Sequence, residues 1–287
     1  MKQKLITRFA KSFSSAFLLA LLFTAAGEHT AWAGTYQVGQ VVTNNFYFIA
    51  RQPFTRWDGT YVPAGARVYL RDFSGRIVFL EWFAVWCPYC VAAAPQVSNN
   101  IVSYYNSRGG NPYGVPVLHI AVNQEASSFY QASTDNFVAQ QGFNPVVNDY
   151  DGAIINPVRF MFQSTGQPIF VVINGVTNSP SHQPWQILVN YQGYGQTDFN
   201  QTLAGFRAVI DTVQPPAQRP LLSAQRNIGA DFQFTLTTQT NRNYRIEVST
   251  NLLSWTTLRT LTGSGNATVF RDTNAPPGQR FYRVVTP

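Results

Sequence analysis

Two cysteines, Cys87 and Cys90, are the only cysteines of this chain and are separated by two residues. The segment before them, 76–85, is mostly apolar, β-branched and aromatic, which predicts a strand buried on both faces. The segment after them predicts a helix over about 91–105, with a kink at Pro95. Two thiols at a strand–helix junction predict a dithiol/disulfide switch that exchanges electrons with the disulfides of other proteins.

The position of each cysteine predicts its role. Cys87 lies at the start of the helix, where unpaired N–H groups and the helix dipole favour the thiolate that attacks disulfides. Cys90 lies one turn further in, so we expect it to be shielded and to act as the resolving thiol. A purely stabilising disulfide is a weaker interpretation, because so short a loop constrains little chain entropy. A zinc site usually needs four ligands, and the predicted mature chain adds only the scattered His119 and His182.

Glu81 is the second informative residue, because it is a carboxylate inside the apolar strand segment that precedes Cys87. A buried carboxyl beside the thiols can take or give a proton. The alternative is that Glu81 lies at the edge of the strand and reaches solvent.

Two separated segments resemble the thioredoxin superfamily, especially its TlpA-type extracytoplasmic members. Residues 70–90 resemble the strand and active-site stretch of that family, and residues 166–175 resemble its cis-proline loop and the strand after it. The resemblance covers about residues 36–213 and aligns Glu81 with the buried acid of the superfamily. It implies that Pro168 is cis and faces the cysteines, and that the backbone of Gln167 pairs with the substrate peptide.

The same resemblance implies that Trp86, Gln167 and Pro168 contact the substrate, while Cys87, Cys90 and Glu81 are catalytic. The pair Pro88-Tyr89 between the cysteines is that of glutaredoxins, but no glutathione-binding pattern surrounds Pro168. A peroxidase of this superfamily would need a threonine at position 84, where this chain has Ala84.

The first 33 residues predict a secretory signal peptide. Four basic residues precede an apolar run over 16–26, and the small residues of 31–33 offer a cleavage site. The apolar run is too short to anchor the chain across a bilayer, so no stable membrane span is expected after cleavage. We therefore expect an extracytoplasmic protein, periplasmic or secreted, in a compartment where disulfides persist.

The formal net charge of +7 does not indicate a nucleic-acid-binding protein, because all three lysines lie in the signal segment and the remaining arginines are scattered. No glycine-rich phosphate loop or carboxylate cluster with metal spacing is visible, so neither a cofactor nor a metal is predicted.

The chain divides at a proline-rich stretch, which predicts two domains. We expect a signal peptide over 1–33, an α/β thioredoxin-like domain over 34–212, a linker over 213–220 and a small, all-β, sandwich-like module over 221–287. The module resembles a C-terminal module found on many large secreted bacterial proteins. Its Tyr244, Trp255 and Phe281 are interpreted as core aromatics rather than ligand contacts.

The predicted function is thiol–disulfide exchange with protein disulfides or dithiols, served by a redox partner protein. The alternative is a surface-attached binding or adhesion protein that uses the C-terminal module, with the first domain as a platform. The presence of both cysteines favours the enzyme. A redox sensor would need a signalling domain, and none is evident.

Overall fold

The structure is a computed structural model that describes residues 36–151, 154–155, 157–163, 166–194, 198–229, 231–273, 275 and 278–286. The signal peptide predicted over 1–33 lies outside the described residues. Within the described residues, the structure contains no helix that is both long enough and apolar enough to cross a membrane.

The strands alternate with helices in the first domain and follow one another directly in the C-terminal module. In chain order they are β1 Tyr47–Ala50, β2 Phe54–Thr55, β3 Tyr61–Val62, β4 Arg67–Tyr69, β5 Ile77–Phe83, β6 Val117–Asn123, β7 Val146–Asn148, β8 Tyr150–Asp151, β9 Ile154–Ile155, β10 Ile169–Asn174, β11 Ile187–Gln192, β12 Leu222–Ile228, β13 Asp231–Thr237, β14 Asn243–Ser249, β15 Thr256–Thr262, β16 Ala267–Asp272 and β17 Phe281–Val285.

Within the part of the chain that the structure describes, all helices belong to the first domain. The α-helices are α1 Pro88–Val97, α2 Tyr104–Asn106, α3 Gln131–Gln141 and α4 Phe199–Ile210. A π-helical segment, Ser98–Ser103, joins α1 to α2, and 3₁₀ helices cover Leu70–Phe73, Ser128–Tyr130 and Pro157–Met161.

A seven-stranded sheet in the order β11-β10-β5-β6-β7-β1-β4 forms the centre of the first domain. Strands β5, β6 and β7 are parallel, whereas β10 runs antiparallel to both β5 and β11. Strand, helix, strand, helix, antiparallel hairpin and helix is the order of the thioredoxin-like fold, so this part of the predicted fold is confirmed. Strands β1 and β4, which extend the sheet beyond β7, were not predicted.

Strand β5 is the most deeply buried element, because apolar layers cover both of its faces. All of its residues are buried, and successive side chains point to opposite faces. Val78, Leu80 and Trp82 join a core with β1 and the 3₁₀ helices. Phe79 on the other face packs with residues of α1 and α4. Full burial of one such side chain stabilises the fold by about 1.5–3 kcal/mol.

The long helical run after Cys87 follows the prediction over 91–105, with one irregularity. Pro95 lies inside α1, and the π-helical segment begins shortly after it, at Ser98. A proline has no N–H to donate and disturbs the regular ladder of helical hydrogen bonds, which gives a physical reason for irregular geometry at this point.

The C-terminal module consists of two three-stranded antiparallel sheets, β12-β13-β16 and β15-β14-β17. One apolar cluster takes side chains from both sheets, among them Phe234 of β13, Tyr244 of β14 and Phe270 of β16. Tyr244 is therefore a core residue, as interpreted. Trp255 and Phe281 are only partly buried, and the guanidinium of Arg283 lies 4.1 Å from the centre of a Trp255 ring.

The junction between the two regions is hydrogen-bonded on both sides. Val213, assigned from sequence to the linker, is fully buried in the first domain, where Asn111 donates to its carbonyl at 2.8 Å. On the module side, Gln239 accepts from the Gln218 N–H at 3.0 Å and donates to the Pro216 carbonyl at 2.9 Å.

Candidate active site

Cys87 is the N-cap residue of α1, and its sulfur is held by the first turn of that helix. The N–H of Cys90 donates to the Cys87 Sγ at 3.2 Å, because the extended backbone of Cys87 turns its side chain back over the helix start. The sulfur of Cys87 therefore lies against an N–H donor at the positive end of the helix dipole. Both cysteines are free thiols in this structure.

Cys90 differs from Cys87 in its surroundings. It is fully buried, whereas Cys87 keeps 5% of its surface exposed. Burial raises the pKa of the Cys90 thiol, and its hydrogen bond with Cys87 raises it further. Cys90 is therefore a protonated thiol in the reduced form at neutral pH and needs a base before it can react.

Glu81 is fully buried in β5, so the solvent-reaching alternative does not describe it. Its Oε2 lies 2.8 Å from Nε2 of His119, which is on the neighbouring parallel strand β6. Its Oε1 has no hydrogen-bond partner among the described residues. A negative charge on Glu81 contributes, as the smallest of the causes, to the raised pKa of the Cys90 thiol.

His119 was missed as a functional residue, because the sequence presents it as one of two scattered histidines. The parallel register pairs Phe79 of β5 with His119 of β6, and Phe79 is the same-face neighbour of Glu81. The imidazole packs against Phe143 with the ring centres 5.0 Å apart. Glu81 and His119 thus form a buried acid–base pair that can share one proton.

The loop before β10 faces Cys87. The Gln167–Pro168 peptide bond is cis, as the resemblance implied, and a second cis bond joins Asn144 to Pro145. The Gln167 carbonyl oxygen lies 4.0 Å from the Cys87 Sγ. Gly166 has a φ of +80°, a left-handed conformation that side-chain-bearing residues rarely adopt. This loop therefore brings main-chain atoms close to the reactive sulfur.

Exposed aromatic residues flank the two cysteines. Trp86 is 49% exposed and its Nε1 donates to Glu125, while Tyr89 is 62% exposed and stacks on Tyr194 with ring centres 6.3 Å apart. A depression of about 360 Å³ borders Trp86 and Gln167. A second depression, of about 610 Å³, borders Tyr89, Tyr194 and Gln167. The two depressions leave room for a substrate chain beside the Gln167 backbone.

The structure thus brings together all six residues predicted for the site: Cys87, Cys90, Glu81, Trp86, Gln167 and Pro168. Their roles stay predictions. Among the described residues, no group of three or more histidine, cysteine, aspartate or glutamate side chains is placed to hold a metal ion.

Part of the chain is similar to the thiol-disulfide oxidoreductase ResA of Bacillus subtilis, with 29% identity over 126 residues, which is 41% of this chain and 64% of the relative. The chain thus spans less than two thirds of that relative's length. A scan against known protein families finds no match for the chain.

Three solved structures are also similar to the first domain. A putative protein disulfide isomerase from Bacteroides thetaiotaomicron has 14% identity and a TM-score of 0.42, and covers 63% of this chain and 94% of its own. A putative DsbE from Chlorobium tepidum has 19% identity and a TM-score of 0.41 over 61% and 99% of the two chains.

The third is a secreted Mycobacterium tuberculosis disulfide oxidoreductase homologous to Escherichia coli DsbE. It has 20% identity and a TM-score of 0.37 over 57% and 95% of the two chains. At these identities and scores the fold assignment depends on the strand order and register described above.

Proposed function

We propose that this protein is an extracytoplasmic thiol–disulfide oxidoreductase that acts on the disulfides of other proteins. One observation carries the proposal: the sulfur of Cys87 is held at a helix start by an N–H, and it faces the Gln167 backbone at the edge of an open groove. That arrangement joins a stabilised thiolate to a surface on which an extended substrate chain can pair. The similarity to ResA supports the same chemistry.

The exchange takes place in two steps. The Cys87 thiolate attacks one sulfur of the substrate disulfide, forming a mixed disulfide and releasing the other substrate sulfur as a thiolate. The Cys90 thiol then loses its proton and attacks the Cys87 sulfur. The Cys87–Cys90 disulfide forms, the second substrate thiolate leaves, and two electrons have passed to the substrate. A redox partner protein must reduce the Cys87–Cys90 pair for another turnover, and the reverse sequence oxidises a substrate dithiol.

Glu81 supplies the proton transfer of the second step. Its Oε1 has no protein hydrogen-bond partner and is available to accept the Cys90 proton, directly or through water. Nε2 of His119 lies 2.8 Å from the other carboxylate oxygen. The imidazole can therefore share the proton that Glu81 takes from Cys90. The pair therefore accounts for how a fully buried thiol with a raised pKa can still react.

The location and the module belong to the same proposal. The signal-like segment 1–33 supports export, and export places the thiols where protein disulfides persist. We assign the C-terminal region as a small β-sandwich, which is supported by the shared cluster between its two sheets. The alternative function, surface binding through this module, stays a prediction.

Reduction of insulin disulfides, with dithiothreitol as electron donor, tests the proposal. We expect the protein lacking 1–33 to accelerate insulin precipitation and the Cys87→Ser variant to lose that activity. The Cys90→Ser variant should accumulate mixed disulfides, because attack survives and resolution is lost. Equal residual activity of the two variants would contradict the assigned roles, and an inactive wild-type protein would contradict the function.

A further inference from the structure

The depression beside Trp86 differs from the depression that borders Tyr89 and Tyr194, because the residues that line it include the cationic side chain of Arg159. A substrate chain that crosses from Cys87 along Gln167 would place a neighbouring side chain here, since alternate residues of an extended chain point the same way. The residues that line this depression are Trp86, Arg159, Phe160, Gln163, Gly166, Gln167 and Ile169.

Arg159 is held in place without its charge being neutralised. Its Nη1 donates to the side-chain oxygen of Gln124, and its guanidinium lies 4.5 Å from the centre of the Phe160 ring. No carboxylate of the described chain forms an ion pair with Arg159, and its Nε is buried without a hydrogen-bond partner. The guanidinium is therefore oriented and still has donor capacity.

Two neighbouring polar atoms are also left without partners. Gln124, which orients Arg159, has a buried side-chain nitrogen that makes no hydrogen bond to the described chain. The side-chain oxygen of Gln167 is also buried and makes no hydrogen bond to the described chain. Buried polar atoms without partners destabilise a protein, so the Nε of Arg159 and the side-chain oxygen of Gln167, two residues that line this depression, indicate a place where water or a polar ligand completes their hydrogen bonding.

The buried carboxyl of Asp149 accepts a hydrogen bond from the backbone of Arg159. It does not neutralise the guanidinium of Arg159 at neutral pH. Asp149 Oδ2 accepts from the Arg159 N–H at 3.2 Å and from Trp82 Nε1 at 2.9 Å. Burial raises the pKa of Asp149 to about 8, so this carboxyl is mostly protonated at pH 7. Arg159 is the charged residue among those that line this depression; the carboxylate of Glu125, which accepts from Trp86 Nε1, does not line it.

We propose that Arg159 binds a carboxylate side chain of the substrate protein, so that the enzyme prefers disulfides flanked by aspartate or glutamate. The planar guanidinium offers parallel donors that match the two oxygens of a carboxylate. This inference rests on the proposed function, because it names the substrate class of the same site. Arg159 then determines specificity, while Cys87 and Cys90 carry the chemistry.

Two pairs of disulfide peptides, whose members differ only in a carboxylate or an amide group, test this inference. Each contains one internal disulfide, flanked by glutamate in one peptide and by glutamine in the other, and a second pair places the residue on the other side of the cysteine. The reduced protein lacking 1–33 is mixed with each peptide, and the second-order rate constant is divided by the rate constant for dithiothreitol to remove intrinsic peptide reactivity.

We expect the wild-type protein to prefer the glutamate peptide of at least one pair by about tenfold, the size expected for one charge-assisted contact. Arg159→Gln should reduce the ratio to about one, and Arg159→Lys should keep part of it because the charge remains. Arg219→Gln is the matched control, since it removes the same charge from an exposed site in the linker region and should keep the wild-type ratio.

The outcomes separate the two proposals. If the wild-type protein reduces both peptides of each pair equally, or if the preference survives in Arg159→Gln, the inference about Arg159 is overturned while the oxidoreductase function stands. If the wild-type protein reduces none of the peptides and no insulin, the proposed function fails and the substrate preference fails with it.

Discussion

Two buried acidic side chains of the first domain have surroundings opposite to those of two acidic side chains of the C-terminal module. In the first domain, Glu81 and Asp149 are fully buried and each keeps one oxygen without a hydrogen-bond partner among the described residues. In the C-terminal module, Glu247 accepts from Arg245 at 2.6 Å and from Arg283 at 2.7 Å. Asp272 similarly accepts from Arg280 and Tyr282.

The difference appears in how these groups hold protons. Burial raises the pKa of Asp149 to about 8, whereas the hydrogen bond from Arg283 leads the causes that lower the pKa of Glu247. A carboxyl that is buried and incompletely paired lowers the stability of the folded state, and such groups are common at functional sites. The comparison indicates that proton chemistry belongs to the first domain, and that the charges of the module hold its strands together.

The strongest way to break this comparison is to neutralise Glu81. Glu81→Gln keeps the size of the side chain but cannot accept the Cys90 proton, so we expect disulfide exchange near pH 7 to slow by about 100-fold, the lower end of the range of general base catalysis. Stopped-flow measurement of mixed-disulfide decay isolates the resolving step.

Glu247→Gln is the matched control for that experiment, since it makes the same substitution in the module. It should leave the exchange rate unchanged. If Glu81→Gln folds and resolves mixed disulfides at the wild-type rate and with the same pH profile, Glu81 does not transfer the proton.

The contrast between the carboxyls of the two regions can also be tested at Asp149, where the pH dependence of stability is measured instead of an exchange rate. The unfolded chain releases this proton near pH 3.8, whereas the folded protein holds it up to about pH 8. The folded state therefore binds more protons in that window, and stability falls as pH rises through it, by up to ~1.4 kcal/mol per pH unit for one proton. Above about pH 8 both states are ionised and this contribution levels off.

Asp149→Asn removes that titration while its side-chain oxygen can still accept from Trp82 and Arg159. Relative to the wild-type protein, the variant should gain stability steadily from about pH 4 to about pH 8, measured as the free energy of unfolding in urea. A difference between variant and wild type that is independent of pH would show that Asp149 is ionised throughout this range in the folded protein.

Glu247 should show the opposite sign and a smaller effect. Because its folded pKa is lowered, its contribution to stability is present above its ordinary value of 4.5 and is lost as pH falls through the folded pKa. Glu247→Gln should therefore lower the melting temperature at pH 6, and the difference between the two proteins should shrink as the pH falls below 4.5. The pairing is partly exposed through Arg245 and Arg283, so added salt should weaken it.

The sequence was sufficient for the elements that signal themselves locally. The run 76–85 predicted β5, because continuous apolar, β-branched residues fit a strand that is covered on both faces. The short edge strands β1 and β4 were not foreseen, because few residues set their pattern and their partner strands lie far along the chain.

The candidate site divides in the same way. The two cysteines, Glu81 and Pro168 could be identified from local patterns. His119 and Arg159 could not, because a single histidine in a strand or a single arginine in a short 3₁₀ helix carries no periodic signal. The proposed role of His119 follows from the register of β6 beside β5, and that of Arg159 from the hydrogen bond between its backbone N–H and Asp149. Both features depend on the folded structure and not on a local sequence pattern.

The last prediction concerns whether the two regions are as independent as the comparison suggests. A chain of residues 34–214 keeps both cysteines, the Glu81–His119 pair and the fully buried Val213. It loses the module, whose contacts with the first domain include the hydrogen bond from Asn241 to the Pro112 carbonyl at 2.6 Å. Since none of the proposed catalytic groups lies in the module, we expect this shortened chain to fold and to exchange disulfides within about twofold of the full mature rate, by the insulin assay.

A chain of residues 34–212 is the matched control, because it differs only by losing Val213 and Gln214. Removing Val213 exposes part of the core and leaves the side-chain nitrogen of Asn111 without one acceptor, so this chain should be less stable by about 1.5–3 kcal/mol in urea unfolding. It should nevertheless keep its exchange rate wherever it is folded. If the 34–214 chain is unfolded or inactive while the full mature protein is active, the regions share a core or a site, and the contrast between reactive and structural carboxylates no longer separates two domains.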